Sequence, residues 1–185
     1  MSSRNRMHQQ STRVAFCGMA AALSLVMMML GGIIPIATYA VPMLCGLILL
    51  PILLEFGKKA AWTTFLTAAL LALLTDFDKE AAFFYLFIGF YPIVKWRFDR
   101  IRGKGRRLAA KLLLFTGLIS IMYGLLYLIF PMEAFMQEFR EMGIAMTVGF
   151  ILAYDGCMLL YDRLLLILIP VYAGRIQPRL KFLHR

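Results

Sequence analysis

Charge is scarce in this sequence. Asp, Glu, Lys and Arg make up 16% of its 185 residues, whereas soluble domains carry about a quarter. Histidine is scarcer still, with His8 and His184 the only two, one near each end. No histidine is therefore available to an intramembrane protease. The HExxH, GxSxG and Walker A patterns are also absent, which excludes the common zinc, serine-hydrolase and ATPase chemistries. We expect no enzymatic activity. Cys17, Cys45 and Cys157 each sit in an apolar run with no CxxC spacing, so neither a zinc site nor a cofactor is expected. No polar stretch is long enough to build a soluble domain.

What is abundant is apolar. Hydrophobic residues are 62% of the chain and the mean hydropathy is +0.78, the mark of an integral membrane protein. The first charge-free run, 14–54, is about 41 residues, roughly two bilayer crossings. Gly31, Gly32, Pro35 and Pro42 supply a turn within it. The expected fold is an all-α bundle of six transmembrane helices over 14–31, 37–54, 60–75, 80–95, 109–130 and 150–173. Basic tails of 1–13 and 175–185 flank the 14–174 membrane domain. The first span lacks a convincing cleavage site and is expected to be retained. The fourth is short for a ~30 Å core, so Glu80 and Lys95 are expected to snorkel to the two interfaces. "PMEAFMQEFREMG", from Pro131, reads as an amphipathic linker.

The net charge of +10 lies in clusters between the apolar runs. Such clusters set orientation and meet anionic lipid headgroups, so the partner they imply is the bilayer and not nucleic acid. Six spans place Arg4–Arg13, Lys58–Lys59, Lys95–Lys111 and Arg175–Arg185 inside, with only Lys79 and Arg140 outside. Both termini are then cytoplasmic. The acids run the other way: Asp76, Asp78, Glu80, Glu133, Glu138 and Glu141 fall outside. They are solvated loops, or a vestibule that attracts a cationic solute.

Two features stand out against this background. In "AFCGMAAALS" the pairs Gly18/Ala22 and Ala20/Ser24 have the spacing that lets helices approach closely in lipid. They serve internal packing or the docking of another membrane subunit. In "AYDGCMLLYDRLLLILIP" two Tyr-Asp pairs stand seven residues apart, so Asp155 and Asp162 share a helix face. Tyr154 and Tyr161 line a neighbouring strip. A count from Arg175 puts Asp162 and Arg163 near mid-bilayer and Asp155 near the outer edge. Charge at mid-bilayer is costly and points inward. Asp162 and Arg163 are an ion pair that fixes packing, with Arg163 free to pair with another span, or the polar lining of a solute site.

Size, span layout and the opening "TRVAFCGMAAALSLVMM" resemble the S component of energy-coupling factor (ECF) transporters. "LGGIIPIATYAVP" and "LLYD" are similar to stretches of uncharacterised Firmicute membrane proteins. The resemblance implies a subunit of the bacterial cell membrane that captures a vitamin or similar micronutrient from outside. It implies a T component and two ATPase subunits as partners, with Gly18, Ala20, Ala22 and Ser24 on the docking helix. It implies a solute site built from Phe84, Tyr85, Tyr91, Tyr154, Asp155 and Asp162. Aromatic rings would stack on a heterocycle, and the acids would meet a cationic or amide group. The alternative is a non-transporting membrane scaffold. A self-sufficient transporter would show inverted repeats, and none is legible.

Overall fold

The computed structural model describes the backbone of residues 3–31, 37–75, 79–129 and 133–177. Asp76, Asp78, the side chains of Glu133, Glu138 and Glu141, and the tail beyond Gln177 lie outside the described residues. The protein is all-α: α1 (Ser3–Gly31), α2 (Ala37–Glu55), α3 (Gly57–Thr75), α4 (Lys79–Ile88), α5 (Tyr91–Asp99), α6 (Lys104–Ile129) and α7 (Glu133–Val171). A π-helical turn follows α7 over Tyr172–Ile176. No strand occurs among the described residues.

Among the described residues four stretches are long and apolar enough to cross a membrane: Gln10–Gly31, Ala37–Glu55, Lys104–Leu126 and Met146–Arg175. Large apolar side chains also cover the outside. Val14, Leu74, Leu113, Leu128 and Leu160 are each more than 70% exposed, a surface that suits lipid and not water. The chain is a helical membrane protein.

The helices form two compact units, one of Met1–Trp96 with Leu165–Arg185 and one of Arg97–Leu164. In the first, α1 and α2 run antiparallel. The Cys45 thiol of α2 donates to the Ser24 carbonyl of α1 at 3.4 Å, and Phe16 meets Phe56 edge-on at 5.7 Å. Gly57, at φ +79°, takes the left-handed conformation that ends α2 and turns the chain into α3. Small residues then let α3 pack closely. Ala60, Ala61, Ala68, Ala69 and Ala72 are at most 1% exposed, a ladder repeating at helical spacing.

The fourth apolar run departs from the single span expected over 80–95. It breaks at Gly89–Phe90 into α4 and α5. "GFYP" explains the break: Pro92 cannot donate to the turn before it, and residues preceding proline avoid helical geometry. Phe90 fills the gap, stacked on Trp62 at 5.9 Å and edge-on to Phe65 at 6.0 Å. Irregular backbone survives in a membrane helix only when protein covers it, and Ile88, Gly89, Tyr91 and Pro92 are buried. Because the chain continues to Asp99, Lys95 need not snorkel. It is 2% exposed. Glu80 accepts a hydrogen bond from the Tyr39 hydroxyl at 2.7 Å.

Two further differences concern helix ends. The basic segment before residue 14 is helical from Ser3, continuous with α1. The linker expected after Pro131 is helical from Glu133, so α7 runs unbroken for 39 residues.

A Cβ at position 89 would lie 2.6 Å from the Tyr85 ring and 2.7 Å from the Tyr85 carbonyl. Tyr85 is fully buried against Phe65 and has nowhere to go. Gly89→Ala should therefore cost about 1–3 kcal/mol of stability through overpacking, read as a lower unfolding midpoint in detergent.

Candidate functional site

Three of the buried charged residues, Lys111, Asp155 and Asp162, lie in the Arg97–Leu164 unit. Here α6 and α7 run antiparallel: Lys111 meets Asp162, Thr116 meets Asp155, and Tyr123 meets Phe150. Each step along α6 matches a step back along α7. Asp155, Met158, Asp162 and Leu165 form one buried stripe of α7, with Tyr154 and Tyr161 buried beside it.

At the centre sits Lys111, 4% exposed. Its Nζ donates to Asp162 Oδ2 and to Asp99 Oδ1, both at 2.7 Å. The side chain of Asp99 is 29% exposed and that of Asp162 only 8%. The ammonium thus ties a wetter carboxylate to a buried one. This corrects the pairing expected between Asp162 and Arg163. Asp162 pairs with a lysine of the facing helix, and Arg163 is exposed. Neighbours on a helix point about 100° apart, so the adjacent arginine cannot turn inward with the acid. Lys111 and Thr116 were not singled out from sequence. The available signal was a lone lysine inside "LAAKLLLFTG", which needs a counter-charge once the helix spans lipid.

Asp155 lies two turns along α7 from Asp162. Its Oδ2 accepts from the Thr116 hydroxyl at 2.8 Å. Its Oδ1 is buried with no hydrogen-bond partner among the described residues. No salt bridge is formed by it among the described residues. A buried acceptor without a donor costs about 1–3 kcal/mol, so this atom is the least satisfied carboxylate oxygen of the stripe.

Three of the aromatic candidates, Phe84, Tyr85 and Tyr91, belong to the other unit. Phe84 is fully buried and edge-on to Tyr39 at 5.2 Å. Tyr85 is fully buried, its ring 5.4 Å from Phe65. Its hydroxyl is buried and has no hydrogen-bond partner among the described residues. Tyr91, 1% exposed, opens α5 at the break. Phe84 and Tyr85 are thus grouped on α4 with Tyr91 just past the break, and Tyr154, Asp155 and Asp162 are grouped on α7.

The two small-residue pairs of α1 separate. Ala20 and Ser24 are buried within the protein, while Gly18 and Ala22 are exposed. No group of His, Cys, Asp and Glu able to hold a metal occurs among the described residues. No protein-family model matches the chain, and no curated protein or solved structure is found similar to it.

Removing Lys111 would leave Asp99 and Asp162 facing each other without a counter-ion. Breaking a buried pair in this way costs about 3–5 kcal/mol. Lys111→Met should therefore lower the unfolding midpoint sharply, and adding Asp99→Asn and Asp162→Asn should restore much of it. Arg163→Gln should leave the midpoint close to that of the unaltered protein.

Proposed function

We propose that the protein is a multi-pass subunit of a bacterial cell membrane, both termini cytoplasmic, that captures a micronutrient from outside. It has no ATP-hydrolysing motif of its own, so import depends on separate subunits: a T component and two ATPases of an energy-coupling factor module. The exposed Gly18/Ala22 face of α1 is the surface that such a neighbour would use. Ala20 and Ser24 are taken up by internal packing and drop out of that role.

The observation that carries the reading is Asp155. Its Oδ1 is a buried acceptor on a spanning helix with no donor among the described residues. Such an atom calls for an N–H or ammonium group on the solute. Asp162 is a poorer candidate because Lys111 already neutralises it. The solute contact of α7 thus contracts to Asp155 with Tyr154, and Asp162 becomes the support beneath it.

One observation favours a scaffold without transport. The Asp99–Lys111–Asp162 triad ties α6, α7 and the end of α5 together, which a structural protein would need as much as a transporter.

Asp155→Asn keeps the shape and an acceptor for Thr116 but removes the charge. It should lower the amount of co-purified solute about tenfold or more, as expected for a hydrogen bond to a charged group, with little change in thermal unfolding. Asp162→Asn should do the reverse, lowering stability. The readout is mass spectrometry of small molecules and proteins released from the protein purified in mild detergent. Well-folded preparations carrying neither solute nor ATPase subunits would sink the importer reading in favour of the scaffold.

A further inference from the structure

A groove of about 410 Å³ lies between α1 and α3, within the ~300–1,000 Å³ range of small-molecule sites. Its walls are two helical stripes. On α1 the wall is Arg13, Cys17 and Ala21; on α3 it is Thr63 and Thr67, and Gly18 opens the space between. A Cβ at Gly18 would meet nothing within 4 Å, so the groove at this point is open.

The walls are less polar than their residue types suggest. The Thr63 hydroxyl donates to the Ala60 carbonyl at 2.9 Å, and the neighbouring Thr64 hydroxyl donates to the same carbonyl, also at 2.9 Å. Both hydroxyl protons are spent on the helix itself, and methyl groups remain for a ligand. Lys59 precedes Thr63 by one turn and so lies on the groove's side of α3. The contact of Phe16 with Phe56 sets the start of α3 level with the Arg13 end of α1. Arg13, Lys58 and Lys59 therefore gather at one end. Among the described residues none of the three has a carboxylate partner.

An apolar slot open at the side, with cations at one mouth that have no carboxylate partner among the described residues, has the charge layout of a phospholipid. We propose that this groove binds one anionic phospholipid, its phosphate at Arg13 and Lys59 and an acyl chain laid over Gly18 between the Cys17 and Thr67 walls. Basic pockets between membrane helices recognise anionic headgroups in this way. The site shares Gly18 with the docking face proposed above but uses none of the residues proposed for solute contact, so it stands whether or not the chain imports anything.

The test is native mass spectrometry of the full-length protein released from bilayers of equal phosphatidylglycerol and phosphatidylcholine. We expect one retained phosphatidylglycerol. Arg13→Gln should reduce the preference over phosphatidylcholine about fivefold, the effect of one cation near a headgroup. Gly18→Leu should fill the groove and abolish retention of either lipid, with the helical circular dichroism spectrum unchanged. Cys17 gives a second readout in a Cys157→Ser background, since Cys45 is buried. Phosphatidylglycerol bilayers should slow alkylation of Cys17 several-fold relative to phosphatidylcholine. Equal retention of the two lipids, or retention indifferent to both substitutions, overturns the proposal. So does a Cys17 protected only when other membrane subunits are present, which would assign the groove to a protein helix.

Discussion

One ammonium between two carboxylates holds the Arg97–Leu164 unit together. A carboxylate such as Asp162 cannot remain charged in a water-poor helix pair without a partner, because desolvation costs several kcal/mol per ion. Lys111 meets that need from the opposite helix. In doing so it fixes the register of α6 on α7. A slip of one residue along either helix would swing Lys111 about 100° off the acid. The Thr116–Asp155 and Tyr123–Phe150 contacts then fall where they do because the ion pair has set the alignment. The second bond, to the more exposed Asp99, brings the end of α5 into the same arrangement.

That alignment also decides which acid is left over. Lys111 has three N–H donors, and two of them go to Asp99 and Asp162. None reaches Asp155, two turns away, which has only the Thr116 hydroxyl on one oxygen. The asymmetry between two acids on one face of one helix is thus a product of where a single lysine stands on the next helix. A satisfied acid gives rigidity and an unsatisfied one gives reactivity toward donors.

Long apolar runs made the helices legible, since charge-free segments of bilayer length have few alternatives. The inward face of Asp155 and Asp162 was legible for the same reason of period. Their partner was not. Spacing along one helix says which residues share a face, but it is silent on which helix lies opposite. Arg163 drew attention by adjacency, whereas Lys111 blended into the basic boundary of "RGKGRRLAAK" and was read as an interface residue. The count from Arg175 placed Asp162 at mid-bilayer by assuming where α7 meets the interface. Lys111 lies roughly 10 Å into α6 and meets the acid across the two helices. The break at Gly89–Phe90 had a signal in "GFYP" that the surrounding apolar run concealed.

The two small-residue pairs of α1 illustrate what geometry can add to a motif. Ala20/Ser24 is offset from Gly18/Ala22 by two positions, which is about 200° around a helix. Two pairs so related occupy nearly opposite faces, so they cannot both serve one surface. One must pack inward if the other looks out. Ser24 is the inward one, its carbonyl accepting from Cys45, and the alanine ladder of α3 completes the close packing that α1 needs inside. Gly18 is thereby released from any duty to the core. A glycine in a helix interior costs about 1 kcal/mol relative to alanine, and nothing internal repays that cost here, because no atom stands within 4 Å of where its side chain would be. The open space it leaves borders the groove between α1 and α3.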